Sequence, residues 1–546
     1  MGVRNETTTV PVLVAGGGPV GLATAMFLAR WGVPALVVDK RDPLTGPPRA
    51  MSSLRTLELL RSAGLLDAVE RTGWYGAEPF QAVFKDSALG LERQHVAPPE
   101  EYVRWLRRCS PVDSRLVLNH LQVQRLALDE LLRCGGSVRF GVGLDGIEQD
   151  AGGVRARLTD TRTGEAYDIR ADYVIGADGA HSTVRGLLGI TVPDRQVVAR
   201  LHTAFYRADF PPCADGARDA MCFVRNEDVY ATVFSMDGRD QWVSHLMDYP
   251  GRAGDADGVP PLPHDRALEL LHAAIGDPGL PVELVAVNAW EAAVGAAAAF
   301  RRGRVFLAGD SAHVQSSAGG LGMNTGIQDG HNLAWKLAAV LQGQAADGLL
   351  DTYEPERRAA VRASLALSRG MHQGYRALGG ADPNELYARA AQDYVRAMMR
   401  YEYTAGAVVP PEGGYAPDGS GAGNGTAATG PGVLADRVHP GHRLPHRPPA
   451  AGGRASTLDL VGTDWALLAG PRGAAWLPAA TTAAAAFGIT LNAHQVPGGL
   501  LPGLAADGAA LVRPDHFVAW RADRLAADPG TVVKRTLAAL LARASS

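Results

Sequence analysis

The stretch VPVLVAGGGPVGLATAMFLARWGVPALVVD, residues 10–39, decides the fold of this 546-residue chain. It contains an apolar run, the glycine pattern Gly16-x-Gly18-x-x-Gly21, a helical stretch, and a second apolar run that ends at Asp39. Strand, glycine turn, helix, strand and terminal acid within about 30 residues form a dinucleotide-binding βαβ unit. The sequence therefore predicts a Rossmann-like domain here. The alternative is a glycine-rich turn in an α/β protein that binds no dinucleotide.

Each position of this fingerprint has a physical reason. The first glycine makes the tight turn, the second lets a pyrophosphate approach the positive end of the helix, and the third permits close packing of helix on strand. Pro19 follows the second glycine, and Asp39 with Lys40 stands at the end of the second strand. A carboxylate at that place accepts hydrogen bonds from a ribose.

The composition is that of an ordinary globular protein, with 46% hydrophobic and 20% charged residues. A net charge of -4 and a pI near 6.4 give no electrostatic footprint for nucleic acid or for an anionic membrane. The start of the chain has no secretion signal, and no long apolar run predicts a membrane span, so we expect a cytoplasmic protein. The four cysteines have neither disulfide nor metal-ligand spacing, and no metal site is predicted.

Two later motifs also join an apolar strand to a glycine and an acid. The first is DYVIGADGAHSTVR, residues 172–185, which contains Asp178 and Arg185. The second is VFLAGDSAHVQSSAGGLGMNTGIQDG, residues 305–330, where Gly309 and Asp310 precede a string of glycines and a helical pattern. Glycine loses the most backbone freedom on folding, so such a string indicates positive φ angles or close approach to the main chain.

The three motifs, in this order, resemble those of the single-component FAD-dependent aromatic hydroxylases, the para-hydroxybenzoate hydroxylase-like or class A flavoprotein monooxygenases. The similarity extends over most of residues 8–400. The tail segments HPGHRLPH and LVRPDHFVAW resemble the aromatic-polyketide branch, the tetracenomycin-hydroxylase-like enzymes. The resemblance implies FAD as cofactor, NADPH or NADH and O2 as co-substrates, and hydroxylation of a polycyclic phenol or quinone through a flavin C4a-hydroperoxide. It implies a monomer or homodimer, without nucleic-acid or membrane partners.

The resemblance also implies residue roles. Asp310 would hold a ribityl hydroxyl, and residues 319–324 would begin a helix beneath the pyrimidine end of the flavin, where main-chain N–H groups stabilise negative charge. Asp178 would contact FAD and, transiently, NAD(P)H. The predicted cofactor-binding residues are Gly16, Gly18, Pro19, Gly21, Asp39, Lys40, Arg49, Gln124, Asp178, Arg185, Gly309, Asp310, Gly320, Gly322, Met323 and Asn324.

No catalytic side chain follows from the sequence. The candidates are His313, for a proton role, and Ser316 and Ser317, which stand where the family usually has two prolines. This departure leaves a Baeyer-Villiger or epoxidising oxygenase open as an alternative on the same scaffold. A second alternative is a protein that holds FAD and a reactive intermediate without turnover. A flavin-dependent halogenase is disfavoured because the motif W-x-W-x-I-P is absent.

The predicted fold class is α/β, with a Rossmann-like FAD-binding domain, a mostly antiparallel β substrate domain and a C-terminal thioredoxin-like domain. The FAD-binding domain is expected over residues 1–190 and 291–400, with 75–110 contributing to the substrate side. The substrate-binding sheet is expected over 191–290, a linker over 405–455, and the thioredoxin-like domain over 456–546. That last segment contains no cysteine, which excludes thiol-disulfide exchange and leaves a structural or dimer-supporting role.

Overall fold

The computed structural model describes residues 8–42, 44–76, 81–214, 220–252, 258–377, 383–410, 437–448 and 455–543. Three large sheets and one two-stranded sheet organise these residues. The elements up to residue 190 are β1 (Thr8–Ala15), α1 (Pro19–Arg30), β2 (Ala35–Asp39), α2 (Leu54–Ser62), α3 (Leu66–Thr72), β3 (Trp74–Tyr75), β4 (Ala82–Lys85), β5 (Glu92–Val96), α4 (Glu100–Cys109), β6 (Leu116–Val117), α5 (His120–Arg133), β7 (Ser137–Phe140), β8 (Val142–Asp150), β9 (Gly153–Asp160), β10 (Ala166–Gly176) and α6 (Thr183–Leu187).

The middle of the chain contains a second group of strands and four helices. They are β11 (Gln196–Arg207), β12 (Met221–Arg225), β13 (Tyr230–Ser235), β14 (Gln241–Asp248), α7 (His264–Ile275), β15 (Glu283–Ala296), β16 (Arg301–Arg302), β17 (Val305–Leu307), β18 (His313–Val314), α8 (Leu321–Leu341), α9 (Tyr353–Ala377) and α10 (Pro383–Met398). The C-terminal elements are β19 (Trp465–Ala469), α11 (Trp476–Ala486), β20 (Leu491–Gln495), β21 (Ala509–Val512), β22 (Val518–Ala522) and α12 (Pro529–Leu540).

The first sheet is the predicted Rossmann-like core. Its strand order is β16-β17-β10-β1-β2-β7, and the pairs from β17 to β7 are parallel. The hairpin of β8 and β9 joins through the antiparallel pairing of β9 with β10. The strands that carry the three sequence motifs, β1, β10 and β17, are therefore neighbours, and parallel strands present their following loops at one edge of the sheet.

Helices α1 and α8 pack together through glycines. A Cβ on Gly326 would lie 2.5 Å from Cγ2 of Val20, and a Cβ on Gly330 would lie 2.1 Å from Oγ1 of Thr24. Only glycine permits so close an approach. This contact joins the helix that follows the first motif to the helix that follows the third.

The second sheet has the order β18-β15-β11-β14-β13-β12-β4-β5 and is antiparallel except for β12 with β4. Helix α7 covers one face, where Tyr206 and Trp242 are buried. Strands β4 and β5 come from the region expected to contribute to the substrate side. Strand β15 continues past residue 290 to Ala296 and pairs with β18, so this sheet extends into the third motif.

The third sheet has the order β20-β19-β21-β22, with β19 parallel to β20 and antiparallel to β21. With α11 after β19 and α12 after β22, this is a thioredoxin-like arrangement. Residues 437–448, inside the predicted linker, lie against this sheet, where Val438 and Leu444 are fully buried. Residues 411–436 and 449–454 of that predicted linker fall outside the described residues.

In the part of the chain that the structure describes, no helix is both long and apolar enough to cross a membrane.

The glycine contact between α1 and α8 gives a test of the fold. The substitution Gly326→Ala places a methyl group 2.5 Å from Val20 and 2.8 Å from Cα of Gly309. Overpacking of this kind lowers the free energy of unfolding by about 1–3 kcal/mol. Gly370→Ala in α9 is the matched control, because a Cβ there meets nothing within 4 Å, and it should raise stability by up to about 1 kcal/mol. Urea unfolding of both variants checks this, and equal stability would contradict it.

Candidate active site

The first glycine loop leaves its main chain open toward one side. Gly16 has φ 111°, and a Cβ there would lie 2.2 Å from the carbonyl oxygen of Ala177. A Cβ on Gly21 would lie 1.9 Å from the carbonyl oxygen of Gly16. Gly18 differs, because nothing lies within 4 Å of the place of its Cβ, and it begins α1 without a side-chain cap. The N–H groups of this helix end are therefore presented to a ligand.

The residues around this loop are tied to its main chain. The Asp39 carboxylate accepts from the N–H of Gly17 at 2.8 Å and from the N–H of Arg41 at 2.9 Å. The buried Gln124 side chain donates to the Gly17 carbonyl at 3.2 Å. Carboxylate oxygens have further lone pairs, so Asp39 keeps acceptor capacity for a ribose. Lys40 is exposed beside it.

Asp310 is the one carboxylate among the predicted ligands that accepts no hydrogen bond from the described residues. It is half-buried after β17, and among the described residues none donates a hydrogen bond to its carboxylate. Burial raises the pKa of this carboxyl above its ordinary value. A Cβ on Gly322, in the first turn of α8, would lie 3.5 Å from Oδ1 of Asp310. Partial burial of a carboxylate without a protein donor has a cost, and a hydrogen bond from a ligand hydroxyl would reduce it.

Helix α8 begins at a second open main-chain site. Gly319 and Gly320 have φ 80° and 62°, the helix has no side-chain cap, and nothing lies within 4 Å of a Cβ on Gly320. Met323 is buried in the first turn. Asn324 holds this turn in place. Its Oδ1 accepts from the N–H of Ser53 at 2.7 Å, and its Nδ2 donates to the carbonyl of Gly320 at 2.6 Å.

A buried carboxylate anchors the loop that carries Asp310. Oδ2 of Asp329, in α8, accepts from the Gly309 N–H at 3.0 Å and lies 2.6 Å from Nε2 of His313. Oδ1 accepts from Nε of Arg357 at 2.7 Å. Burial alone would raise the pKa of Asp329, but His313 and Arg357 together lower it. His313 is thus fully buried beside Asp329, and a proton role for it stays a prediction.

The same network continues into the C-terminal domain. Arg357 donates to the Tyr403 hydroxyl at 3.0 Å, and Arg513, which follows β21, donates twice to Glu356 at 2.9 Å. Nε of Arg513 also donates to Asp515 at 2.9 Å. These ions are buried, and burial lowers the pKa of the neighbouring Lys336 to about 8. The position of the flavin-side helix is therefore coupled to the third sheet.

The two serines differ in environment. Ser316 is buried, and its hydroxyl lies 2.7 Å from that of Ser368 in α9. Ser317 is exposed just before the glycine pair. Only Ser317 is therefore open to a ligand beside the start of α8.

Three predicted ligands have other partners or lie apart. The Asp178 carboxylate accepts from the N–H of Val184 at 3.0 Å and from the Ser182 hydroxyl, so it caps α6. Arg185 donates to the carbonyls of Ser311 and Ala180 at 3.0 and 2.8 Å and fastens the second motif to the third. The Arg49 side chain is exposed. Contact of these side chains with a cofactor stays a prediction.

The face of the second sheet opposite α7 carries polar groups that sequence reasoning missed. Trp290 donates from Nε1 to Thr203 Oγ1 at 2.8 Å, and that hydroxyl lies 2.8 Å from Nδ1 of His245. Phe234 stacks at a tilt on His245, with ring centroids 5.6 Å apart. The four residues lie on four neighbouring strands, and the alternation of residues along any one strand does not indicate that they meet.

Other residues that the sequence analysis missed lie in α8 and its partners: Asp329, Gly326, Gly330, Arg357 and Arg513. A signal for part of this set exists in the sequence. Asp329, Asn332 and Lys336 recur at helical spacing in an otherwise apolar stretch, which indicates one buried polar face.

The residues present fit FAD. Two uncapped helix ends offer main-chain donors, Asp39 and Asp310 offer acceptors for sugar hydroxyls, and an antiparallel sheet is joined to the same loop through β15 and β18. This combination defines a flavin-dependent oxidoreductase with a separate substrate sheet.

Comparison with known proteins identifies the family. Residues 9–368 match the FAD binding domain model, and residues 437–544 match the model of the aromatic-ring hydroxylase C-terminal domain. The tetracenomycin A2 monooxygenase-dioxygenase of Streptomyces glaucescens is 34% identical over 99% of this chain and 98% of its own. The chain belongs to the FAD-dependent aromatic-ring hydroxylases and is a flavin monooxygenase of that family.

Two solved structures share the whole architecture. Aklavinone-11 hydroxylase in complex with FAD and aklavinone superimposes with a TM-score of 0.82 at 32% identity, covering 100% of both chains. The flavin-dependent monooxygenase PieE in complex with FAD and substrate gives a TM-score of 0.82 at 30% identity, covering 98% of this chain and 99% of its own. The predicted fold class and the cofactor FAD are confirmed.

The unbonded carboxylate of Asp310 gives a test of the cofactor site. Asp310→Ala should weaken FAD binding about 10- to 100-fold, because hydrogen bonds to charged groups contribute about 1.5–3 kcal/mol. Titration of the apoprotein with FAD, followed by flavin fluorescence, measures the change. Asp168→Ala, which removes an exposed carboxylate on β10, is the control and should bind as the wild type does. An unchanged affinity in Asp310→Ala would remove this residue from the site.

The buried ion network gives a second test. Arg513→Met leaves Glu356 and Asp515 without their main cation, and the free energy of unfolding should fall by about 3–5 kcal/mol. Burial opposes the charged form of both carboxyls, but Arg513 lowers their pKa values. Their stabilisation is therefore present above about pH 4 and lost as pH falls below it.

Stability of the variant should accordingly fall less steeply below about pH 4 than stability of the wild type, with the part that comes from the lowered pKa of Asp329 unchanged. Urea unfolding at several pH values measures both effects. Arg535→Met, at an exposed position of α12, is the control and should change stability by less than about 0.5 kcal/mol. A wild-type pH profile retained in Arg513→Met would contradict the assignment.

Proposed function

We propose that this protein is an NAD(P)H-dependent FAD monooxygenase that hydroxylates a polycyclic aromatic phenol or quinone of polyketide type. The observation that carries the proposal is the Asp310 carboxylate, which accepts no hydrogen bond from the part of the chain that the structure describes and lies beside the open start of α8. Such a site suits FAD, whose ribityl hydroxyl would meet Asp310 and whose pyrimidine end, negatively charged when reduced, would meet the start of α8. The residues Gly16, Gly18, Asp39, Asp310 and Gly320 are proposed to bind it.

The chain's own groups orient and stabilise the cofactor. FAD, when bound, would accept hydride from NAD(P)H and, once reduced, react with O2. The N–H groups at the start of α8 are fixed donors toward negative charge at the pyrimidine end, and they need no reorganisation during the reaction. Asn324 and Asp329 keep those donors and Asp310 in place. No side chain is required as nucleophile.

The substrate is proposed to lie against the face of the second sheet that carries Trp290, Thr203 and His245. That face combines aromatic rings with a polar chain, which suits a flat aromatic ligand with phenol or quinone oxygens. A cavity of about 280 Å³ adjoins it, lined in part by Phe205 and Val243. The solved relative with 32% identity binds aklavinone, which supports a multi-ring ligand here.

Two alternative functions of the same fold are distinguished by the product formed and by the rate of NAD(P)H oxidation. A Baeyer-Villiger or epoxidising oxygenase would insert oxygen into a ring C–C bond or across a double bond. A flavin-holding protein without turnover would bind ligand tightly but would not oxidise NAD(P)H faster in its presence. The burial of Ser316 against Ser368 leaves only Ser317 of the pair at the loop surface, so the serines do not favour the first alternative.

The test is NADPH and NADH oxidation by the FAD-loaded protein with a panel of polycyclic phenols and quinones. One compound should stimulate oxidation, and with ¹⁸O2 its product should gain a single labelled hydroxyl on an intact ring system. The control is Asp310→Ala loaded with excess FAD, which should show less stimulation at equal protein concentration. Label within an opened or expanded ring, or tight binding without stimulation, would overturn the hydroxylase assignment.

A further inference from the structure

The motif HPGHRLPH contains a rigid turn that the flavin site does not use. His439, Pro440, Gly441 and His442 form a β-turn closed by the N–H of His442, which donates to the carbonyl of His439 at 3.1 Å. Gly441 has φ 86°, and proline precedes it, so the turn is of type II. This turn brings the two histidines together, with ring centroids 5.0 Å apart. Proline and glycine make the pair pre-organised, since little conformational freedom remains to be lost.

A carboxylate from a different part of the chain faces this pair. The N–H of Tyr403 donates to the carbonyl of Gly441 at 3.0 Å, and a Cβ on Gly441 would lie 2.3 Å from the carbonyl oxygen of Tyr403. The turn is therefore pressed against residues 402–403. Oε1 of Glu402 lies 3.3 Å from Nε2 of His442 and 3.9 Å from Nδ1 of His439.

The turn is also held from the side of the third sheet. The N–H of Gly441 donates to the carbonyl of Val518 at 2.8 Å, and Arg521 donates to the carbonyl of Val438 at 2.9 Å. Nδ1 of His439 lies 2.9 Å from the carbonyl oxygen of Pro440, so this nitrogen carries the proton of that hydrogen bond and Nε2 is the ring nitrogen left to bind a metal. A main-chain carbonyl that holds the second ring nitrogen of a histidine ligand is a usual feature of metal sites.

We propose that Glu402, His439 and His442 bind one divalent transition-metal ion of the zinc type. One ligand atom from each of the three residues lies within 4.8 Å of the others, and all three side chains are half-buried. Ligands at about 2.0–2.2 Å from a zinc ion are themselves about 3–4 Å apart, so small rotations close the site. Two imidazoles and one carboxylate suit Zn²⁺, Co²⁺ or Ni²⁺ and disfavour Mg²⁺ or Ca²⁺.

The ion would connect two parts of the chain. Glu402 belongs to the segment after α10, whereas the histidines belong to the segment that lies against the third sheet. A metal bound between them fastens the C-terminal domain to the end of the flavin-domain helices. Water would complete the coordination. The competing interpretation is a simple ion pair between Glu402 and His442, which holds no metal.

The experiment uses the full-length, tag-free, FAD-loaded protein after dialysis against a chelator and removal of that chelator. Titration calorimetry with ZnCl2 should give one ion per chain, and Co²⁺ should give the visible absorption of a four- or five-coordinate site. His442→Ala and Glu402→Gln should each weaken binding at least tenfold. His264→Ala is the matched control, because it removes an exposed histidine beside Asp265 and should leave binding unchanged.

Three results would overturn the proposal: no stoichiometric binding by the wild type, equal binding by His442→Ala, or a Co²⁺ spectrum unchanged from that of the free aqueous ion. Circular dichroism and the flavin spectrum of each variant show whether it is folded. Should His442→Ala fail to fold, Glu402→Gln alone decides, because it keeps the volume of the side chain and removes its charge. The readouts do not depend on hydroxylase activity, so they stand apart from the proposed function.

Discussion

The carboxylate of Asp329 is the group on which the candidate site depends. It is fully buried. Its Oδ2 accepts a hydrogen bond from the Gly309 N–H and lies beside His313, and its Oδ1 accepts from Arg357. An isolated buried carboxylate would cost several kcal/mol, and here His313 and Arg357 offset that cost. Both oxygens of Asp329 have protein partners, and one of them holds the main chain of Gly309. Because Gly309 immediately precedes Asp310, Asp329 fixes the orientation of Asp310, the proposed ligand.

The sequence predicted those elements whose conformation depends on residues close to one another in the chain. The glycines of the first motif occupy positions where a side chain would collide with main chain, and the pair before α8 adopts left-handed φ angles. Steric rules of this kind act within a few residues, so they are visible without a structure. The sequence also singled out Asp310, which follows a buried strand and precedes the glycine string, and its contact with a cofactor stays a prediction.

What the sequence did not indicate depends on distant partners. The spacing of Asp329, Asn332 and Lys336 along α8 indicates a polar face, but Arg513 lies more than 170 residues further along the chain than Lys336. Sequence patterns also do not tell whether a donor meets a ligand or neighbouring main chain. Arg185, for example, donates to two main-chain carbonyls, a role that its motif alone does not reveal. Which face of the second sheet is covered by α7, and which is left for a ligand, is likewise not visible in the sequence.

The role of the C-terminal domain follows from the burial of α8. This 21-residue helix is buried along nearly its whole length, and a helix that is buried all round needs partners on every side. Helix α1 covers one side through glycines and α9 covers another, but Trp335 packs edge-on against Trp465 of β19, with ring centroids 5.8 Å apart. The third sheet thus closes the core around the helix whose first turn belongs to the candidate flavin site. The thioredoxin-like domain, which has no cysteine, contributes this packing and the ion pairs of Arg513, and its removal would expose the far end of α8.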